Sequence, residues 1–242
     1  MSRSSREVVT GLIGRRGRFA TGAFSACFLA ILVALVVGAG TAASATHTTV
    51  ILGDTASTPD PACPELPCQA VGSVTGFQVS NGQATLPFSV PRPGRITAWT
   101  LTLSQPTNKQ RAFFNGFFGS PPEARISIIT RVRGTNPPRF SLRSQSAIRV
   151  LSPYLGKTVK FSASLRAQKN DIVALTVPTW APVFAQGLST RNTWRASRLP
   201  GKCTNSTAVR QGEPQTKIGR RATYGCRYTT ARLLYSATLV ED

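Results

Sequence analysis

The sequence predicts an all-β protein, a single antiparallel β-sandwich of jelly-roll type with about ten strands, two disulfides and little helix. Short segments rich in β-branched and aromatic residues alternate with polar residues and recur roughly every ten residues or more. Turn-forming residues separate these segments, and the 242 residues include 17 Pro and 20 Gly. We find no amphipathic pattern that predicts a helix of two turns or more.

Residues 1–45 have the three parts of a secretory signal peptide. Five arginines against Glu7 give a positive start, residues 24–39 form an uncharged apolar run, and Ala43 and Ala45 provide small residues at a cleavage position. We expect export and cleavage after Ala45. The alternative is an uncleaved anchor, because the apolar run approaches the ~20 residues that span a bilayer.

The positive charge belongs mainly to the chain that follows. The sequence carries 29 Lys and Arg against 9 Asp and Glu, a formal charge of +20, and loss of five arginines and Glu7 with residues 1–45 leaves +16. We divide the remainder into an N-terminal arm with a disulfide-clipped loop at 46–70 and a β-sandwich domain at 71–242. A chain of this length can bury a substantial core in one domain.

Four cysteines follow the apolar run: Cys63, Cys68, Cys203 and Cys226. An even number in an exported chain predicts two disulfides, for which three pairings exist. The spacing favours Cys63–Cys68 and Cys203–Cys226. Neither spacing suits a zinc site, which needs closely spaced ligand pairs, or the C-x-x-C motif of a redox pair. We therefore expect no metal.

The first strands are predicted from alternation and turn residues. A short strand at 49–52 precedes the disulfide-clipped loop. Segments 74–80 and 83–90 flank Asn81-Gly82, a pair that is typical of a type I′ hairpin turn. In segment 95–103, alternation places four residues on one face: Thr97, Trp99, Leu101 and Leu103.

The later strands follow the same pattern. Segment 125–133 is expected to bury Ile126, Ile128 and Val132, with Ser127 and the arginines facing outward. Two short strands are expected in 139–150 and an alternating strand in 157–165. Segment 171–177 is apolar on both faces, as in a central strand. Segments 222–228 and 232–240 complete the predicted sheets.

Two motifs resemble those of known proteins. They are Gly94-Arg-Ile-Thr-Ala-Trp99 and Lys169-Asn-Asp-Ile-Val-Ala-Leu175. They resemble the Pro-x-x-Gly-x-Ile-x-x-Trp and Lys-Gly-Asp-x-Val-x-Leu strands of uncharacterised secreted β-sandwich proteins from high-GC bacteria, which are similar to carbohydrate-binding jelly rolls. Asn170 replaces the usual glycine. The match covers residues 71–180 and implies the fold, but this group has no established activity and no functional residue is carried over.

Few residues can support catalysis. The single histidine, His47, lies near the start of the mature chain, and the cysteines are expected to be oxidised. Asp171 fits a turn residue that bonds nearby backbone amides, and Glu123 fits an ion pair among arginines. Glycosidases need two carboxylates roughly 5–10 Å apart, and no spacing indicates such a pair. Because no glycine-rich phosphate loop or Gly-x-Ser-x-Gly elbow is present, we expect no enzyme activity and no cofactor.

The arginines and tryptophans predict a binding role. Arginine binds planar anions bidentately, which favours an anionic polysaccharide or cell-wall polymer as partner, with no nucleic acid. The leading hypothesis is a non-enzymatic binding module that is secreted or held in the cell envelope. Trp180 and Trp194 are predicted to stack on sugars. The predicted anion-binding residues are Arg195, Arg198, Arg220 and Arg221.

Several alternatives stay open at this point. The arginines can be scattered over a solvated surface, and the tryptophans can be packing residues. A structural or protein-interaction domain of the envelope would use an apolar segment, although its phenylalanines can instead plug one end of the sandwich. These residues are Phe113, Phe114, Phe117 and Phe118. A hydrolase would need Glu123 and Asp171 close together. After cleavage we expect no membrane span.

Overall fold

The computed structural model describes residues 47–53 and 58–242. The predicted signal peptide and its cleavage after Ala45 lie outside the described residues and stay predictions. Fifteen strands, two α-helices and one 3₁₀ turn make up the described part. Ten of these strands have four residues or more, and all strand pairs are antiparallel. The all-β, sandwich-like architecture is therefore confirmed.

The strands are β1 (Thr49–Leu52), β2 (Val71–Asn81), β3 (Ala84–Thr85), β4 (Gly94–Thr102), β5 (Glu123–Val132), β6 (Arg139–Gln145), β7 (Arg149–Val150), β8 (Thr158–Ala167), β9 (Ile172–Ala181), β10 (Phe184–Ala185), β11 (Thr193–Ala196), β12 (Arg221–Thr223), β13 (Cys226–Thr229), β14 (Arg232–Leu233) and β15 (Tyr235–Glu241). The helices are α1 (Asn108–Phe118) and α2 (Ser206–Arg210), and the 3₁₀ turn is Ser152–Tyr154.

Two main sheets carry the fold. The smaller has the order β1-β15-β4-β8, and the larger has the order β12-β6-β5-β9-β2-β11-β13, with β3 beside β2 and β7 beside β5. β10 and β14 form a separate pair. One cluster of buried side chains connects both main sheets. The Tyr235 hydroxyl of the smaller sheet donates to the Val173 carbonyl of the larger one at 2.9 Å.

The larger sheet is curled. Its two edge strands, β12 and β13, follow one another in sequence with only Tyr224 and Gly225 between them, so the edges must approach each other. Three aromatic rings meet inside the curl. The Phe77 ring lies 5.2 Å from that of Phe140 and 5.7 Å from that of Tyr224, and the last two rings are 4.8 Å apart. These contacts hold β2, β6 and the β12–β13 connection together.

A β-bulge in β4 changes which side chains face inward. The pairing with β15 shifts between Ile96 and Ala98, so Thr97 is an extra residue that reverses the alternation. The predicted inward facing of Trp99, Leu101 and Leu103 is confirmed. The prediction for Thr97 is wrong, because this residue is only half-buried at the bulge while Ile96 is buried in its place.

Strand β5 is buried on both faces. Ile126 and Ile128 are buried as predicted, and Val132 is half-buried at the strand end. Ser127, predicted to face solvent, is buried and lies 2.6 Å from the Thr176 hydroxyl. The prediction failed because this face of β5 lies under the loop that contains Gln215: Gln145 Nε2 donates both to Ser127 Oγ and to the Gln215 carbonyl.

The expected hairpin at Asn81-Gly82 forms with a different turn. Ser80 pairs with Thr85, and Asn81 is the last residue of β2. A type I′ turn needs positive φ at both central residues, but only Gly82 has it, at 58°. The type I′ prediction is therefore wrong, and the second strand is shortened to the two residues of β3.

Helix α1 corrects the expectation that no helix of two turns or more is present. A capping box begins it: the Gln110 amide donates to Thr107 Oγ1 at 3.3 Å, and the Thr107 amide donates to Gln110 Oε1 at 2.7 Å. The Thr-x-x-Gln spacing that encodes this box is visible in the sequence. Phe114 is buried, whereas Phe113 is 61% exposed and its ring stacks on that of Phe117 at 5.7 Å.

Both predicted disulfides are confirmed. Cys63 pairs with Cys68, and Cys203 pairs with Cys226. The first closes a short loop in the N-terminal arm, and Gln110 Nε2 of α1 donates to the Pro64 carbonyl of that loop at 2.9 Å. The second joins β13 to the start of the segment that contains α2, so the bonded pair encloses residues 204–225.

Candidate anion-binding site

A groove of about 960 Å³ lies between the residues after β11, helix α2, the loop that follows it, and β12. We call it the basic groove because five of its lining residues carry positive charge. They are Arg198, Lys202, Lys217, Arg220 and Arg221. Glu213 is the one acidic residue in its lining.

Gln215 holds the loop that forms one wall of the groove. Its backbone amide donates to Thr75 Oγ1 at 2.9 Å, and its Nε2 donates to the Phe140 carbonyl at 2.9 Å. The Tyr224 hydroxyl in turn donates to Gln215 Oε1 at 2.6 Å. Burial raises the pKa of Tyr224 well above its usual value, so the phenol stays protonated and remains a donor. These bonds fix the loop over the open end of the curled sheet.

A row of buried, hydrogen-bonded side chains lies beneath Gln215. The hydroxyls of Thr75 and Thr176 are 2.9 Å apart, and those of Thr176 and Ser127 are 2.6 Å apart. Gln145 Nε2 extends this row by donating to Ser127 Oγ at 2.9 Å. Because buried polar groups are costly unless they are paired, this network fixes the register of β2, β9 and β5 below the groove.

The positive charges of the groove are not neutralised by carboxylates. In the part of the chain that the structure describes, the ion pair within 4 Å joins Arg92 to Glu241, away from the groove lining. Lys202, Lys217, Arg220 and Arg221 are exposed. Like charges concentrated on low-dielectric walls raise the local concentration of anions. The arrangement can therefore attract and hold a multivalent anion.

Arg198 is the buried member of the set, with 7% of its surface exposed. Its Nη2 donates to the Gly72 carbonyl at 2.7 Å, and its Nη1 donates to the Tyr228 hydroxyl at 3.0 Å. It lines both the basic groove and a smaller neighbouring cavity. Arg198 was predicted as an anion-binding residue, and the structure places it with Arg220 and Arg221 in one groove.

The two tryptophans do not present faces to solvent, which corrects their predicted role as surface platforms for sugars. Trp180 is 1% exposed, its Nε1 donates to Asn115 Oδ1 at 2.8 Å, and its ring lies 5.1 Å from that of Phe114. Trp194 is 4% exposed and stacks on Tyr228 at 4.6 Å. Both indoles are packing residues, Trp180 against helix α1 and Trp194 against Tyr228 of β13.

Arg195 lies apart from the groove lining. It pairs across strands with Arg227, and its Nη1 donates to the Tyr224 carbonyl at 2.8 Å. Burial lowers the pKa of Arg195, and the nearby charges of Arg227 and Arg131 lower it further. Successive residues of a strand point to opposite faces, so Trp194 and Arg195 cannot share one site. The prediction that both residues belong to one binding site is therefore wrong.

Lys202 and Lys217 also line the groove, although they are not among the residues that the sequence predicts for the site. A signal for them was present in the sequence. Lys217, Arg220 and Arg221 lie inside the loop that the Cys203–Cys226 bond closes, and Lys202 directly precedes it. A disulfide that closes a long, basic segment brings its charges to one part of the surface.

Glu123 and Asp171 lie too far apart to form the carboxylate pair of a glycosidase. Asp171 Oδ2 accepts from the Gln168 amide at 2.9 Å, which confirms its interpretation as a turn residue, and Thr130 donates to its other oxygen. Ile129 pairs with Ile172 beside Asp171, whereas Glu123 lies six residues away at the other end of β5. At ~3.3 Å per residue the two acids are about 20 Å apart, beyond the roughly 5–10 Å of a glycosidase pair.

Glu123 makes no ion pair within 4 Å in the described part of the chain, although its charge raises the pKa of Arg125 against the larger effect of burial. His47 Nδ1 lies 3.0 Å from the Glu241 carbonyl oxygen. Across residues 47–53 and 58–242, no three His, Cys, Asp or Glu side chains are grouped so that they could hold a metal ion.

No described helix has the length and apolar character needed to cross a membrane.

Comparison with protein-family models, with curated proteins and with solved structures gives no significant match. The functional argument therefore depends on the residues of this chain.

Proposed function

We propose that the protein is a secreted or cell-envelope, non-enzymatic module that binds an acidic polysaccharide in the basic groove. The observation that supports the proposal is the convergence of five cationic side chains, with one carboxylate among them, along a single open groove. Arginine suits this role because its planar guanidinium can pair bidentately with carboxylate or sulfate. The two disulfides and the predicted signal peptide support an exported location.

Ionic contact is the expected mode of binding, because the groove lining contains no aromatic side chain on which a sugar could stack. An open groove, in contrast to a closed pocket, suits a chain with repeated charges. Such binding should weaken steeply with salt, since exposed charges are screened over about 10 Å at 0.1 M ionic strength.

The test compares polygalacturonate with neutral dextran by isothermal titration calorimetry across a salt series. The groove variant carries Lys217→Gln, Arg220→Gln and Arg221→Gln. A matched control removes three exposed charges from the smaller sheet or its edge: Lys157→Gln, Lys160→Gln and Arg166→Gln. Both variants lose the same net charge, so a general charge effect cancels.

The groove variant is expected to bind polygalacturonate ~10- to 100-fold more weakly, because each exposed ion pair contributes about 0.5–1 kcal/mol. The affinity of the control variant for polygalacturonate should stay within about threefold of the wild-type value, because this variant loses only long-range attraction. Equal losses in the two variants, or binding to dextran as strong as to polygalacturonate, would contradict the proposal.

A second candidate function uses helix α1. Phe113 is 61% exposed and stacks on the half-buried Phe117, which makes a small aromatic surface. This surface favours a structural or protein-interaction role in the envelope. Phe113→Ser removes the exposed ring with little effect on packing. Loss of a co-purifying envelope protein with Phe113→Ser, but not with the groove variant, would favour this second role.

A further inference from the structure

Three arginines outside the basic groove lie together on the inner face of the curled sheet. They are Arg131 of β5, Arg195 of β11 and Arg227 of β13, and we call them the arginine triad. None of them lines the groove. Arg131 and Arg227 are exposed and Arg195 is half-buried, so a ligand in solution can reach all three side chains.

The strand register places the three side chains on one face. Residues directly opposite each other in an antiparallel pair point to the same side of the sheet. Arg131 lies opposite Phe140. Arg195 lies opposite Phe77 on one neighbouring strand and opposite Arg227 on the other. Because the rings of Phe77 and Phe140 meet at 5.2 Å inside the curl, all three arginines emerge on this inner face.

Two further observations bring the guanidinium groups close together. Arg195 Nη1 donates to the Tyr224 carbonyl at 2.8 Å, and the Tyr224 ring lies 4.8 Å from that of Phe140, the residue opposite Arg131. Burial is the main cause that lowers the pKa of Arg195, and the charges of Arg227 and Arg131 add to it. The three cations are therefore close enough to repel one another.

The triad has no carboxylate to offset this repulsion. In the residues that the structure describes, no Asp or Glu oxygen lies within 4 Å of the charged nitrogens of these arginines. Asp171 accepts from Thr130, and because adjacent residues of a strand point to opposite faces, this carboxylate lies by the other face of β5 from Arg131. Like charges opposite each other across strands destabilise a sheet, and an anion bound between them would relieve that cost.

We propose that the arginine triad binds a phosphate monoester. This group carries about −1.5 to −2 charges at pH 7 and three strong acceptor oxygens, which suits three guanidinium groups that each donate as a planar fork. A carboxylate has a single charge and two oxygens, so it would leave part of the triad without a partner. A free sugar phosphate and a phosphate monoester carried by a polysaccharide share this chemistry. The site is separate from the basic groove and does not depend on the function proposed for it.

Four ligands built on one sugar test the choice of anion. They are glucose 6-phosphate, glucose 6-sulfate, glucuronate and glucose, each titrated by calorimetry at low salt near pH 7. Glucose 6-phosphate should bind at least about tenfold more tightly than glucose 6-sulfate or glucuronate, because it alone carries nearly two charges at this pH. Glucose should show no binding, since it brings no anion to the triad.

A double variant with Arg131→Gln and Arg227→Gln tests the triad without touching the half-buried Arg195. It should bind glucose 6-phosphate about 5- to 30-fold more weakly, because it loses two exposed ion pairs. The matched control carries Lys160→Gln and Arg166→Gln, two exposed positions on β8 of the smaller sheet. It loses the same net charge, and its affinity should stay within about twofold of the wild-type value.

Arg195→Lys separates the geometry of the site from its charge. The substitution keeps the positive charge but removes the planar fork, so it should lower the affinity for glucose 6-phosphate about three- to tenfold. Arg166→Lys, at an exposed position of β8, is the matched control and should leave the affinity unchanged. Thermal melts of all variants verify that they fold.

Dextran phosphate, titrated against the groove variant, distinguishes the two sources of the phosphate. Tighter binding per phosphate than that of glucose 6-phosphate identifies a phosphorylated polysaccharide as the ligand of the triad. Equal or weaker binding identifies a free sugar phosphate.

The two sites can fail separately. The groove variant should bind glucose 6-phosphate, and the triad variant should bind polygalacturonate, each within about threefold of wild type, since only long-range attraction is lost. The triad proposal is overturned if glucose 6-sulfate or glucuronate binds as tightly as glucose 6-phosphate, or if the triad variant and its control lose equal affinity. Unchanged affinity in Arg195→Lys, or loss of glucose 6-phosphate binding in the groove variant, would overturn it as well.

Discussion

Removal of the Cys203–Cys226 disulfide should weaken both the fold and the basic groove. The bond ties the segment that contains α2, Lys217, Arg220 and Arg221 to the fully buried Cys226 of β13. The proposed perturbation is the double substitution Cys203→Ala and Cys226→Ala. The matched control is Cys63→Ala with Cys68→Ala, which opens a loop outside the groove lining.

The magnitudes follow from the lengths of the closed loops. The sequence separations are 23 and 5 residues. In the chain-entropy model these correspond to about 3 kcal/mol for the long loop and about 2 kcal/mol for the short one. For a domain of this size, 1 kcal/mol shifts the melting temperature by roughly 2–4 °C, so decreases of about 6–12 °C and 4–8 °C are expected.

Urea unfolding and calorimetric melts measure the stability change, and polygalacturonate titration at 15 °C measures the groove. We expect the long-loop variant to lose polymer affinity, because its groove wall is no longer tied to β13. The short-loop variant should stay within about twofold of wild type, as is usual for distant, independent sites. The reasoning is refuted if the short loop costs more stability than the long one, or if both variants bind polygalacturonate like the wild-type protein.

Three further outcomes are expected. Phe114→Ala should lower the free energy of unfolding by about 3–5 kcal/mol, whereas Phe113→Ala, at an exposed position, should change it by no more than about 0.5 kcal/mol in urea melts. Burial raises the pKa of Tyr224 and of Tyr235 well above the usual ~10, so the unfolded chain loses these protons first. Stability should therefore decrease above about pH 10, and absorbance at alkaline pH should show both phenols ionising only as the protein unfolds. Glu213→Gln should tighten polygalacturonate binding about two- to fivefold, because it removes the acidic residue of the groove, and weaker binding would contradict this.

The strand pattern and the disulfides are the features that sequence reasoning predicts well. Alternation identifies β4, β5, β8 and β9 because each has a well-defined buried face, and an even cysteine count with unequal spacing identifies both bonds. Alternation fails at Thr97, where a bulge inserts one residue relative to β15, and at Ser127, which the loop that contains Gln215 covers. Neither a bulge nor a covering loop leaves a local signature, since both depend on contacts between distant segments.

The candidate site could be predicted only in part. The basic segment between Cys203 and Cys226 is visible as a cluster of charges, and Arg220 and Arg221 were identified from it. Trp194 and Arg195 illustrate the limit, because adjacency in sequence suggests one site while the strand directs them to opposite faces. The position of Arg198 between groove and cavity depends on its bonds to Gly72 and Tyr228, which lie 126 and 30 residues away in the chain.

The central claim, that the basic groove is where an acidic polysaccharide binds, is tested most directly by locating the contact. Carbodiimide joins carboxylates to nearby lysine amines, so a short oligogalacturonate can be coupled to the protein and the modified lysines identified by peptide mass spectrometry. The account predicts that Lys202 and Lys217 are coupled first and that salt suppresses the coupling. Uniform coupling of all lysines, or preferential coupling at Lys157 and Lys160 of the smaller sheet, would contradict it.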